Sequence, residues 1–189
     1  MSQARDPRLE IVSMVLISAL LFILLFRLND WLFSALEHNE GVNWIFLPGG
    51  FRVLLVLVLG VPGAMGIVLA NLWLDHDRLA ITTWPLTVMI GLASGFGPWL
   101  VRAWMEKRGL LDRELRRITS AKLLHFVLLY AAINALSHQL IHWTFGTPDT
   151  LPWVDVWPMF IGDTIGALMV LYAFKVVLAQ LRRASAPRA

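Results

Sequence analysis

Apolar residues along this chain fall into six blocks separated by short polar breaks. The hydrocarbon core of a bilayer is about 30 Å thick, so a spanning helix needs about 20 apolar residues. The first block runs from Ile11 to Phe26 behind Arg5 and Arg8. It is long for a signal sequence and no small-x-small cleavage site follows it, so it reads as a retained first span. A polar stretch with Asp30, Glu37, His38 and Glu40 comes next. The second and third blocks, Trp44–Gly60 and Val61–Leu74, meet at Gly60-Val61-Pro62-Gly63, a turn signal. Unbroken, they would make a helix of roughly 46 Å, too long to span comfortably. Two short helices joined by a tight turn fit best. A re-entrant pair turning inside the membrane would keep the same sidedness at both ends.

After Asp75-His76-Asp77-Arg78 the pattern predicts a fourth span over Thr82–Trp104. A charged segment from Glu106 to Arg117 follows, with Gly109 suited to a helix C-cap and Ser120 to the next N-cap. The fifth span is Ala121–Phe145 and the sixth roughly Pro158–Leu181. The expected fold class is therefore an all-α integral membrane protein of six transmembrane helices, one polytopic domain over residues 1–189.

Composition agrees. Of 189 residues, 58% are hydrophobic and only 15% charged, against about 25% charged in a soluble domain. Too few polar residues remain to coat a water-soluble globule, which also excludes a disordered chain and a nucleic-acid-binding domain. The chain has no Cys, which removes disulfides, thiolate catalysis, Fe–S clusters and Cys-based zinc sites. Its net charge of +3 arises from Arg and Lys next to the apolar blocks, where they set topology. Arg5 and Arg8, the stretch from Arg102 to Lys122, and Arg182, Arg183 and Arg188 fall on one side. The loops at 28–42, 75–81 and 146–157 fall on the other, with seven Asp/Glu and a single basic residue, Arg78. Six crossings with both termini in the cytoplasm of a bacterial inner membrane satisfy this alternation. Trp31, Trp44, Trp73, Trp84, Trp143, Trp153 and Trp157 lie near the outer ends, as in an interfacial aromatic belt.

Ionisable residues inside a span are costly and mark the first place to look for function. Arg52 and Asp163 lie about 12 Å and about 9 Å below the outer surface by helical rise. Opposite charges at matching depth suggest a pair, since Arg–carboxylate contact is favoured in bidentate geometry. Three readings stay open: a structural ion pair, direct contact with a ligand, or Asp163 capping a helix that begins at Thr164 while Arg52 snorkels outward. His138 and His142 share one face of the fifth span. Metal or haem would need further ligands, and no motif supplies them. With Asn71, Asn134 and Thr164 these residues form a polar set in the outer half, either a ligand pocket open to the outside or interhelical hydrogen bonding. No catalytic motif appears, so the expectation is a non-enzyme without cofactor. Lys107, Arg108, Arg113, Arg116 and Arg117 read as a topology determinant touching anionic lipid or a partner protein. Gly63, Gly66 and Ala70, Gly91 and Gly95, and Gly162 and Gly166 form small-residue stripes suited to close helix packing.

The run Trp44-Ile45-Phe46-Leu47-Pro48-Gly49-Gly50-Phe51-Arg52, the later Gly66 and Ala70-Asn71-Leu72, and Gly162-Asp163-Thr164-Ile165-Gly166 resemble bacterial membrane-associated sensor (MASE-type) domains. The resemblance implies a helical module that senses a signal and passes it to a cytoplasmic output domain. Arg52 stands where that pattern has an apolar or small residue, the spans are fewer, and the chain ends soon after the last helix, which places the output on another polypeptide. The leading expectation is a sensory or ligand-binding module with a protein partner, or acting as a homo-oligomer. The alternatives are the substrate-binding subunit of a vitamin-type transporter and a structural accessory subunit.

Overall fold

The computed structural model of the chain describes residues 6–39, 42–76, 84–112, 114–115, 118–147 and 151–184. Among them run six helices: α1 (Pro7–Phe33), α2 (Leu47–Leu59), α3 (Val61–Leu74), α4 (Trp84–Lys107), α5 (Ser120–Phe145) and α6 (Pro152–Ala184). A short antiparallel ladder, β1 (Glu37–Asn39) with β2 (Val42–Asn43), links α1 to α2. By length and composition α1, α4, α5 and α6 can each cross a membrane; α2 and α3 are apolar but shorter.

Several boundaries differ from the sequence reading: α1 starts at Pro7 rather than Ile11, α2 starts at Leu47 rather than Trp44, and α4 ends at Lys107 rather than Trp104. Helix α1 continues past Phe26 through Asn29 and Asp30 to Phe33, because Asn29 is fully buried and its Oδ1 accepts the Leu47 N–H at 2.9 Å. Helix α6 starts at Pro152 and carries Pro158 inside it. The Asp155 carboxylate accepts the Leu151 N–H at 2.9 Å and so fixes the earlier start. Ser120 is the first residue of α5, whose cap is Thr119, accepting from the Lys122 N–H. Arg113, Arg116 and Arg117, like the predicted starting residue Thr82, lie outside the described residues.

Helix α2 is the hub. It packs against each of the other five helices, while α1, α3, α4, α5 and α6 follow one another around it. The small-residue stripes make these contacts. Gly66 lies under Ser18 of α1, Gly95 under Ala64 of α3, and Gly162 and Gly166 under the carbonyls of Asn43 and Phe46. At the last two, an added Cβ would overlap backbone oxygen. The Phe46 N–H donates to the Gly162 carbonyl at 3.1 Å. The first and last of the three segments bearing the sensor-like pattern thus pack on each other.

At 13 and 14 residues, α2 and α3 are each about 20 Å long. They turn at Gly60, whose φ of 64° and ψ of −128° suit a residue without Cβ. A helix end in an apolar interior exposes carbonyls that need donors. Arg102 of α4 supplies them: its Nη1 donates to the Val56 and Leu57 carbonyls at 2.7 and 3.1 Å, and its Nε to Glu106 at 2.7 Å. Beyond this turn Val53, Leu57, Val101, Met105, Leu111, Phe126 and Val127 form a dry core, with Leu115 and Ile118 packed against it. The opposite end carries the termini of every helix that bear Trp31, Trp44, Trp73, Trp84, Trp143, Trp153 and Trp157, all of them exposed.

Candidate functional site

Arg52 lies five residues into α2, on the face of the hub turned into the bundle, and only 3% of it is exposed. A buried guanidinium must be paired or it costs several kcal/mol. Asp163, in the interior of α6 and 1% exposed, supplies the opposite charge, with Arg52 Nη1 3.7 Å from its Oδ1. Gly49 makes the approach feasible: a Cβ there would sit 2.5 Å from that same oxygen. This arrangement corrects two readings made from the sequence. Asp163 caps no helix at Thr164, and Arg52 does not snorkel.

The pair is also not bidentate. Both carboxylate oxygens are engaged elsewhere, Oδ1 by the Tyr130 hydroxyl at 3.1 Å and Oδ2 by Asn134 Nδ2 at 2.7 Å. Arg52 Nη1 donates to the Tyr130 oxygen at 3.3 Å, so the phenol bridges the two charges. Nη2 donates to Ser94 Oγ at 3.4 Å, and Ser94 Oγ is 3.1 Å from His138 Nε2. His138 Nδ1 is 2.9 Å from the Asn134 carbonyl. A carbonyl only accepts, so in the neutral ring Nδ1 carries the proton and Nε2 receives the Ser94 hydroxyl proton. Two directed chains therefore leave Arg52, one reaching Asp163 through Tyr130 and the other reaching His138 through Ser94. Phe22 and Phe46 flank the guanidinium, with ring centroids 5.4 and 5.1 Å from Cζ.

A cavity of about 110 Å³ adjoins this network. Arg52, Ser94, His138 and Asp163 form its buried wall; Asn71, Asp75, Gln139, His142 and Asn43 add polar lining and Phe26, Phe46, Leu74, Ile90 and Met159 apolar lining, on the side of the tryptophan-bearing helix ends. Of the residues singled out from sequence, Arg52, Asn71, His138, His142 and Asp163 line the cavity, and Asn134 holds Asp163 from behind. Thr164 does not join them: its hydroxyl donates to the Phe160 carbonyl of its own helix at 2.7 Å. Lys107 and Arg108 sit at the far end, exposed, with Arg108 over the Trp104 ring at 5.8 Å.

Tyr130, Ser94, Gln139 and Asp75 were missed. Tyr130 and Ser94 carry no charge, and Ser94 reads as one more small residue beside Gly95. Asp75 reads as part of a loop, yet it reaches the cavity just past the end of α3. Burial alone pushes its carboxyl above the usual carboxylate range. Arg52 and Asp163 neutralise each other, so Asp75 leaves the cavity lining acidic.

Both ring nitrogens of His138 have partners, and His142 Nδ1 is 3.1 Å from Thr147 Oγ1. Among the described residues no group of three or more His, Asp or Glu is placed to hold a metal ion. Among the described residues, four buried side-chain atoms lack a hydrogen-bond partner: Arg52 Nε, Asn134 Oδ1, Gln139 Oε1 and Asn29 Nδ2. Three of these belong to the network or to the cavity wall, which makes the site more polar than its own bonds require. No protein-family model, curated protein or solved structure matches this chain.

Proposed function

We propose that this chain is a multi-pass protein of the bacterial inner membrane and a non-enzymatic, ligand-binding sensory module. In this reading α1, α4, α5 and α6 cross the bilayer, while α2 and α3 enter from the outer face and turn at Gly60. Both termini are cytoplasmic whether or not that hairpin fully crosses. The basic end of α4 supports this orientation, as does the ring of exposed tryptophans at the other end.

One observation carries the functional reading: a polar cavity is walled by a buried charge network mounted on the one helix that touches all others. A ligand that alters the hydrogen bonds of Arg52 acts directly on α2. The far end of α2 is bonded through Arg102 to α4, close to the basic residues Lys107 and Arg108. There a partner protein, or a second copy of the chain, receives the change. A volume of about 110 Å³ favours a ligand or ligand head of a few non-hydrogen atoms over a vitamin-sized solute, whose sites occupy about 300 Å³ or more.

The test is purification in mild detergent, followed by mass spectrometry of small molecules and cross-linked chains. A small polar or amphiphilic molecule is expected with the wild-type protein and not with Arg52→Gln. A preparation with neither ligand nor partner would leave the network as structural glue and overturn the reading.

A further inference from the structure

A second cavity lies on the outside of the bundle between α5 and α6. It is a groove of about 330 Å³ with almost wholly apolar walls, among them Leu136, Leu140, Trp143, Trp153 and Val156. Gln139 lines this groove and also lines the polar cavity. That side chain is 5% exposed, its Oε1 has no hydrogen-bond partner, and its Nε2 reaches only Met159 Sδ, at 3.9 Å. Sulfur is a weak acceptor, and both Gln and Met are long, unbranched and rotatable. The wall between a lipid-facing groove and a charged cavity is therefore built from two flexible side chains joined by a weak contact. A buried amide oxygen there has no donor of its own.

Charge decides what fits. Arg52 and Asp163 cancel, both ring nitrogens of His138 are engaged, and Asp75 has no cationic partner among the described residues. Its carboxyl is pushed up by burial with nothing opposing the shift. Such a cavity attracts a proton donor or a cation and disfavours an anion.

We propose that the polar cavity receives the ammonium head of a single-chain amphiphile taken from the membrane, whose alkyl chain lies along the groove between α5 and α6. Gln139 is the gate residue, swinging from Met159 so that its free carbonyl oxygen accepts from the ammonium while Asp75 supplies the counter-charge. This rests on the ligand-binding reading above and names its ligand class.

The experiment uses the full chain in nanodiscs of phosphatidylcholine, titrated with dodecylammonium, dodecanol or methylammonium while the thermal unfolding midpoint is followed. Dodecylammonium is expected to raise the midpoint saturably, and the other two are not. Asp75→Asn is expected to weaken dodecylammonium about tenfold or more, the loss of a hydrogen bond to a charged group. Leu140→Trp, which fills the groove and leaves the network untouched, is expected to weaken it similarly. Dodecanol acting like dodecylammonium, or Asp75→Asn acting like wild type, would overturn the head assignment. Methylammonium acting as well as dodecylammonium, or an indifferent Leu140→Trp, would overturn the tail assignment. Either result would leave a ligand-binding cavity standing. No response to any probe would overturn the inference, and the co-purification experiment would then judge the reading beneath it.

Discussion

Tyr130 shows how a single hydroxyl turns two charges into a network. It accepts from Arg52 and donates to Asp163, so neither charge can be removed alone without stranding the other. Asp163→Asn is expected to destabilise the fold by about 3–5 kcal/mol, the usual consequence of leaving one member of a buried pair uncompensated. The double variant Arg52→Met with Asp163→Leu should lie closer to wild type than Asp163→Asn does. Chemical unfolding in detergent measures both. Sequence reading found the two charges because ionisable residues inside apolar blocks are conspicuous. It missed the connecting groups, since a Tyr or Ser in an apolar helix carries no such signal until its neighbours are known.

Asp75 yields a prediction of opposite sign. Its folded carboxyl is raised above the usual value of 3.8 by burial. Its contribution to stability is therefore complete below that value and is lost as pH rises through the folded pKa. At pH 7 Asp75→Asn should be more stable than wild type, and the difference should vanish as pH falls below about 4. Unfolding midpoints of the two proteins over pH 3–8 decide it.

Among the elements, the α2–α3 hairpin was legible as two short helices because Gly60 and Pro62 punctuate an otherwise continuous apolar run. The means of closing it was not legible. Arg102 looks like one more basic residue near the end of a span, and only the fold shows it capping the carbonyls of Val56 and Leu57. The Val56 carbonyl also accepts the Gly60 N–H, so Arg102→Ala should cost about 1–3 kcal/mol chiefly for the Leu57 carbonyl it strips of this donor, and Arg102→Lys should recover part of that. At the other end of α2, Gly166→Ala forces a Cβ into the Phe46 carbonyl. It is expected to cost about 1–3 kcal/mol, as overpacking does, and to displace α2 from α6. Helix boundaries were less legible than helix existence. Asn29 and Asp155 are polar residues that suggest loops, yet Asn29 satisfies the Leu47 N–H at the start of α2 and Asp155 the Leu151 N–H at the start of its own helix.

For the whole molecule, the division is between a polar end and a dry one. The cavity and the exposed tryptophans gather at the end where α2 begins, and the core that includes Leu57, Met105 and Phe126 fills the end where α2 turns. The chain has no native Cys, so single cysteines report this division directly. Asn71 suits the purpose: it lines the cavity, is 6% exposed, and its side-chain amide donates to the Ile67 carbonyl of its own helix at 2.8 Å. Thr87, equally buried on α4 but away from the cavity lining, serves as the control. The decisive measurement is the labelling rate of Asn71→Cys by a small, membrane-impermeant cationic thiosulfonate in right-side-out vesicles. Fast labelling from the outside, slowed by dodecylammonium and absent for Thr87→Cys, is the expected result. An Asn71→Cys that reacts only from the cytoplasmic face, or no faster than Thr87→Cys, would contradict an outward-facing binding cavity.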